Sequence, residues 1–137
     1  MITLTADVTN NNANGNTLQD VTGLSFNVLA GIFYRFYAMI PYTSEQTSNG
    51  SRWTITTPAT SFISYVSRYA DNPETVNYCS AINLPTTCTS NSNLIGNMAV
   101  IQGVIKPSVS GTVQIRFASE TNNKAIVAKA GGTLEYW

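Results

Sequence analysis

The sequence contains no histidine, only two cysteines and few charged residues. Without histidine, an acyl-transfer triad lacks its usual base, and a zinc site would depend on carboxylates that do not cluster along the chain. Charged residues make up 10% of the 137 residues, well below the roughly 25% typical of soluble domains. Seven Lys and Arg balance seven Asp and Glu without runs of either sign, so binding of nucleic acid is not expected. We expect neither cofactor nor metal.

Long apolar runs are also missing. No segment approaches the ~20 apolar residues of a membrane span, and the first residues lack the basic and apolar regions of a signal peptide. The sequence therefore predicts that the protein is made in the cytoplasm without export and does not associate with a membrane. Hydrophobic residues still make up 43% of the chain, which is ample for one packed core. We expect a single β-domain over residues 1–137.

Two sets of reactive side chains leave alternatives open. Cys79 and Cys88 lie nine positions apart, a spacing that suits a local disulfide or two buried thiols. A glycosidase would need two carboxylates across a cleft. The candidates, which lie mostly in predicted turns where a solvated acid is ordinary, are Glu45, Asp71, Glu74 and Glu120. The expectation is that the protein is not an enzyme.

Alternation of apolar and polar residues dominates the chain. Ile2, Leu4 and Val8 share one face of the first predicted strand, with the period of two that a half-buried strand shows. Similar strands recur between Gly, Asn and Pro turns, and no segment has convincing helical periodicity. The pattern predicts an all-β fold of eight or nine strands, an antiparallel β-sandwich or jelly-roll-like domain with essentially no helix.

Two segments predict tight connections between strands. Residues 103–120 read as two strands folded over a short turn, in which Pro107 fixes φ and Gly111 accepts a positive φ. Residues 48–51, with the sequence SNGS, are a strong hairpin signal. We expect Arg116 and Glu120 each to form an ion pair across strands.

The aromatic segment at residues 32–42 is apolar on both faces, which predicts a central strand covered on two sides. Arg35 is its one charge. A cation among four aromatic neighbours must form an ion pair, stack on a ring or reach solvent. A structural contact and a ligand-binding role both remain open for this residue.

The order of turn and strand motifs resembles a family of small virion structural proteins of tailed bacteriophages. The motifs span nearly the whole chain: GLSF at 23–26, AG at 30–31, YRF at 34–36, YTS at 42–44, IQGVIKPS at 101–108, GT at 111–112, RFASE at 116–120, AG at 130–131 and TLEYW at 133–137. The resemblance implies a component of the phage particle. It carries no functional residue with it.

Decoration, or cementing, of the capsid is the leading functional expectation. Such a protein would bind the major capsid protein in the assembled lattice, as a homotrimer at threefold positions on the capsid surface, and would stabilise the shell by mass action. The alternative is a tail-fibre or tail-tip module that binds a carbohydrate or protein of the host surface. Its binding platform would draw on exposed aromatic residues, with candidates Trp53, Tyr65, Tyr69, Tyr78, Tyr136 and Trp137.

The two chain ends are the predicted interface segments. An aromatic C-terminus is difficult to bury at a free end, so residues 133–137 are expected to contact another chain, chiefly through Leu134, Tyr136 and Trp137. The N-terminal residues 1–16 form a possible strand or arm, and its Asn-rich hinge would let Ile2 and Leu4 reach a neighbour.

Overall fold

A computed structural model describes residues 1–70, 76–79 and 92–137. Within these residues the chain forms strands and no helix, which confirms the all-β prediction. The strands are β1 (Ile2–Thr3), β2 (Val8–Asn10), β3 (Gln19–Val28), β4 (Tyr34–Ser44), β5 (Ser51–Thr56), β6 (Thr60–Ala70), β7 (Val76–Cys79), β8 (Asn97–Pro107), β9 (Gly111–Ser119), β10 (Ile126–Ala128) and β11 (Thr133–Tyr136).

The strands form two antiparallel sheets, as expected for a β-sandwich. The larger sheet has the order β1-β11-β4-β8-β6-β7, and it curls into a half-barrel. Beyond the end of β11, the same edge of β4 pairs with β10, which in turn pairs with β2. The smaller sheet has the order β3-β9-β5.

The N-terminal segment lies along the chain's own sheet. It is divided into β1 and β2, which is one reason why the strands outnumber the eight or nine predicted. Between β1 and β2 the segment bonds to the turn between β10 and β11 instead of to a strand. The Leu4 amide donates to the Gly132 carbonyl at 2.7 Å, and the Gly131 amide donates to the Leu4 carbonyl at 2.8 Å. Opposite the same turn, Asp7 accepts from the Ala130 amide at 2.8 Å and from the Lys129 ammonium.

Alternate side chains of both sheets fill the core. Val113, Ile115 and Phe117 of β9 are fully buried, as their alternation predicts. The Trp53 ring stacks on Phe117 with centroids 5.0 Å apart, and Tyr42 of the opposite sheet lies 5.0 Å from Trp53. Such aromatic contacts add to the free energy gained by burying apolar area, so this cluster joins the two sheets.

The predicted hairpins are wrong in their pairing, although their strands are correct. Strand β8 pairs with β4 and β6, whereas β9 pairs with β3 and β5. Residues 108–110 therefore cross from one sheet to the other, and residues 45–50 likewise connect β4 to β5 of the opposite sheet. Turn residues bend the chain in either arrangement. Because the strands on either side of each turn pair with strands distant in sequence, the turn residues do not determine which strands pair.

The prediction that the aromatic strand is covered on two sides is half wrong. Strand β4 is central in its sheet, and Phe36, Ala38 and Ile40 are buried. Arg35 and Met39, on the other face, are exposed. Among the described strands, those of the smaller sheet cover only the inner face of the larger one, so Arg35 and Met39 on the outer face stay exposed.

Candidate binding face of the larger sheet

The open outer face of the larger sheet carries two rows of side chains that run across the strands. Strand register defines both rows, because residues paired across neighbouring strands project to the same side. The first row contains Trp137, Arg35, Val104 and Ser64, and the second contains Glu135, Tyr37, Gln102 and Val66. Trp137 extends β11 by one pair, since its amide and carbonyl bond to Arg35 at 3.1 and 2.9 Å.

A groove of about 470 Å³ lies between these rows. Its floor includes Gly103, where β8 approaches β6 so closely that an added Cβ would lie 2.4 Å from the Tyr65 Cβ and 2.5 Å from the Ser64 carbonyl oxygen. The groove has the volume of a small-molecule site, for which about 300–1,000 Å³ is typical. We call it the outer groove; its lining includes both rows, Phe36, Gly103 and Tyr65.

The outer groove contains charged side chains that form no ion pair, whereas most acidic side chains elsewhere in the described chain are paired. Four of the five described carboxylates form salt bridges: Arg52–Glu120 at 2.6 Å, Arg116–Asp20 at 2.7 Å, Lys124–Glu45 at 3.0 Å, and Lys129–Asp7. The first two confirm the predicted pairing of Glu120 and Arg116 across strands. Within the described residues, neither Glu135 nor Arg35 forms an ion pair. The groove thus holds one charge of each sign that the fold itself does not pair.

Two exposed carboxylates show how the paired charges are held. The Lys129 ammonium, followed by the Ala130 amide, lowers the pKa of Asp7 below its ordinary 3.8. The Ala125 amide, followed by the Lys124 ammonium, lowers the pKa of Glu45. Both acids therefore fasten a neighbouring turn in their ionised form, which is a structural role.

Beyond the first row, the same end of the molecule is strongly apolar. In the loop before β4, the Gly31 amide donates to the carbonyl of Pro107 at the end of β8, at 2.8 Å. In the turn that follows β8, the Ser108 amide donates to the carbonyl of Ala59 in the loop before β6, also at 2.8 Å. These loops and the adjacent strand ends present Leu29, Ile32, Phe33, Phe62 and Val109, which are between 47% and 63% exposed. We call this cluster the apolar end. Phe33 and Phe62 meet edge to face at 6.0 Å, and the Lys106 ammonium lies 5.0 Å from the Phe33 ring.

The predicted interface residues separate into buried and exposed groups. Leu4 and Leu134 are core residues, 3% and 0% exposed, and Ile2 is partly buried against them. The apolar character of Leu4 and Leu134 is thus explained by the chain's own core, which corrects their assignment to an interface, whereas the interface role of Ile2 stays a prediction. Tyr136 is 41% exposed and stacks on Phe26 at 4.4 Å. Trp137 is 62% exposed.

The aromatic platform expected for a host-binding module is also corrected. Trp53 and Tyr69 are fully buried and cannot contact a ligand, and Tyr65, which is 5% exposed, contributes only to the lining of the outer groove. Desolvation raises the pKa of Tyr65 and, to a greater extent, that of Tyr69. The Tyr78 side chain lies outside the described residues. Tyr136 and Trp137 are the candidates that remain at the surface.

The two candidate catalytic acids that the structure describes, Glu45 and Glu120, have structural partners. Glu45 and Glu120 are each paired with a cation, and Asp71 and Glu74 lie outside the described residues. The side chains of Cys79 and Cys88 also lie outside them. Among the residues that the structure describes, no group of three potential metal ligands occurs, and no helix is suited to cross a membrane.

Sequence reasoning missed most of the outer groove. The sequence pattern does not single out Tyr37, Gln102 or Glu135, and it marks Arg35 only as an unusual charge. The available signal was the outward half of each alternating strand. To combine these outward residues into one surface, the pairing of β4 with β8 and β11 must be known, and alternation within one strand does not contain that information.

Comparison with protein-family models, with curated proteins and with solved structures gave no match.

Proposed function

We propose that this protein is a structural component of a bacteriophage virion, a capsid decoration protein that binds the assembled lattice through the apolar end. The proposal takes its phage context from the sequence motifs at residues 101–120 and 133–137. The observation that carries it is the cluster of five large, exposed apolar side chains on adjoining loops. Concentrations of large, exposed apolar side chains mark sites of protein association.

The partner in this proposal is the major capsid protein. A chain with balanced charge has no strong field to attract a partner, so its docking depends on buried apolar area and shape. Binding to the assembled lattice but not to separated subunits stabilises the shell by mass action. A homotrimer would add avidity, since one rigid particle engages several equivalent sites.

The test is saturation of expanded, undecorated capsids with labelled protein. A decoration protein saturates at a copy number set by lattice symmetry, and it raises the temperature at which the capsid loses its genome. The double variant Phe33→Ser/Phe62→Ser should lose binding, whereas Ile95→Ser, which alters a residue 76% exposed outside the apolar end, should bind normally. Equal binding of both variants would contradict the role of the apolar end.

A tail-tip module that recognises the host surface is the second candidate, and the outer groove favours it. A tail component is present in a handful of copies per virion, whereas a lattice component is present in far more. Quantitative mass spectrometry of purified particles therefore separates the two. Added to host cells, a tail-tip module would also bind and block adsorption of the phage.

A further inference from the structure

We propose that the outer groove is a binding site for uncharged sugars, with Trp137 as the stacking platform and Arg35, Gln102 and Glu135 as hydrogen-bonding groups. This inference holds whether the protein decorates the capsid or the tail, because it rests on the groove alone. It assigns a ligand class to residues that the lattice-binding proposal does not use.

The first argument is the exposure of Trp137. The chain has two tryptophans, of which Trp53 is fully buried and Trp137 is 62% exposed while its backbone is fixed by two hydrogen bonds to Arg35. An indole ring held at the rim of a groove offers a large, rigid apolar face at low cost in conformational entropy. The C–H face of a pyranose ring is flat and apolar, and it covers such a surface while its hydroxyls point sideways.

The second argument is the chemistry of the polar lining. Arg35 supplies only donors, Glu135 only acceptors, and the Gln102 amide supplies both. Sugar hydroxyls, which donate and accept at once, can satisfy all three. Hydrogen bonds to charged groups are the stronger ones, and Arg35 and Glu135 have no ion pair among the described residues to give up on binding.

The third argument concerns ligand charge and size. Among the side chains that line the groove, one guanidinium balances one carboxylate, so an anionic sugar gains at Arg35 what it loses at Glu135. The groove runs across β11, β4, β8 and β6, which spans about 14 Å at the usual strand spacing. This length suits a short segment of an oligosaccharide better than a single ring.

The binding test uses a printed array of neutral and sialylated glycans, followed by titration of the soluble protein with the strongest neutral glycan. Binding should reduce acrylamide quenching of the Trp137 fluorescence, while the buried Trp53 gives a constant background. Saturable binding of neutral glycans is the expected result. Absence of glycan binding, or binding confined to sialylated glycans, would overturn the proposal.

Variants assign the binding to the groove. Trp137→Ala should weaken affinity at least 10-fold, and Arg35→Gln should weaken it several-fold without disturbing the fold, because this side chain is exposed. Phe62→Ala removes a comparably exposed aromatic ring outside the groove, on the same sheet, and should bind normally. If Trp137→Ala fails to fold, Arg35→Gln alone decides. Unchanged affinity in the folded groove variants would overturn the proposal, as would equal weakening by Phe62→Ala.

Discussion

Replacing Asn49 with alanine should destabilise the protein by about 3 kcal/mol. Asn49 is fully buried in the connection between the two sheets. Its Oδ1 accepts hydrogen bonds from the Ser119 hydroxyl at 3.0 Å and the Thr121 amide at 3.2 Å, and its Nδ2 donates to the Ala125 carbonyl at 3.3 Å. Each lost bond costs about 1 kcal/mol, and more where the partner stays buried without a substitute.

Urea denaturation at 25 °C, followed by tryptophan fluorescence, measures this loss directly. The signal reports unfolding because Trp53 passes from full burial to solvent. A destabilisation of about 3 kcal/mol is a large share of the 5–15 kcal/mol typical of a domain, and it should lower the Tm by roughly 10 °C. Asn27→Ala, which removes one exposed side-chain bond to Thr112, is the matched control and should cost below about 0.5 kcal/mol.

A double-mutant cycle tests whether the Asn49 bonds act as described. Ser119→Ala removes one of the three bonds and should cost about 1 kcal/mol. Because both variants delete the same Asn49–Ser119 bond, the double variant should cost less than the sum of the two. A loss below about 1 kcal/mol for Asn49→Ala, or strict additivity in the cycle, would refute the reasoning.

Three further predictions concern the groove floor and the response to pH. Gly103→Ala should destabilise by about 1–3 kcal/mol in urea denaturation, because its Cβ would overlap Tyr65; an unchanged midpoint would contradict this close approach. Desolvation raises the pKa of Tyr42, Tyr65 and Tyr69 above 10.0, so the stability they contribute is present below pH 10 and is lost as the pH rises. Tyrosinate absorbance of these buried rings should therefore appear together with unfolding, and ionisation in a still-folded protein would refute this. The pKa of Asp7 is lowered, so the stability that Asp7 contributes is present above pH 3.8, its ordinary pKa, and is lost as the pH falls. Asp7→Asn should therefore reduce the loss of stability at acidic pH, and an unchanged pH dependence would contradict the contribution of the Asp7 bonds to Lys129 and Ala130.

In strands where only one face is apolar, such as β9, alternation in the sequence was enough to predict which residues face the core. Val113, Ile115 and Phe117 lie in phase along β9 and are all fully buried. The period of two is a property of one strand, so it can be read without knowing the neighbours. Fold class follows from it, because repeated alternating strands without helical segments leave few architectures other than a sandwich or barrel.

Strand partners could not be predicted in the same way. The turn at residues 108–110 suits a hairpin and a crossing between sheets equally, since both require the same reversal of the backbone. The decision depends on contacts distant in sequence, such as Tyr37 opposite Gln102. The same limit hid the outer groove, which is made of residues from four strands.

Composition also failed to separate the core from the exposed face of β4. Tyr37 and Met39 have the residue types of a covered face, yet Tyr37 is half-buried and Met39 is 38% exposed. A surface intended for association and an interior surface both exclude water, so both select apolar side chains. Apolar character on two faces of a strand therefore indicates either two covering layers or one covering layer and one partner.

The low charge of the chain connects the two proposals. Four described carboxylates are matched by nearby cations, so little net field extends from the surface and long-range attraction contributes little to any association. Partners must then be recognised at contact, by apolar area at the apolar end and by stacking and hydrogen bonds in the outer groove. Both interactions should consequently change little between low and high salt, since Debye screening weakens only the charge-driven part of binding.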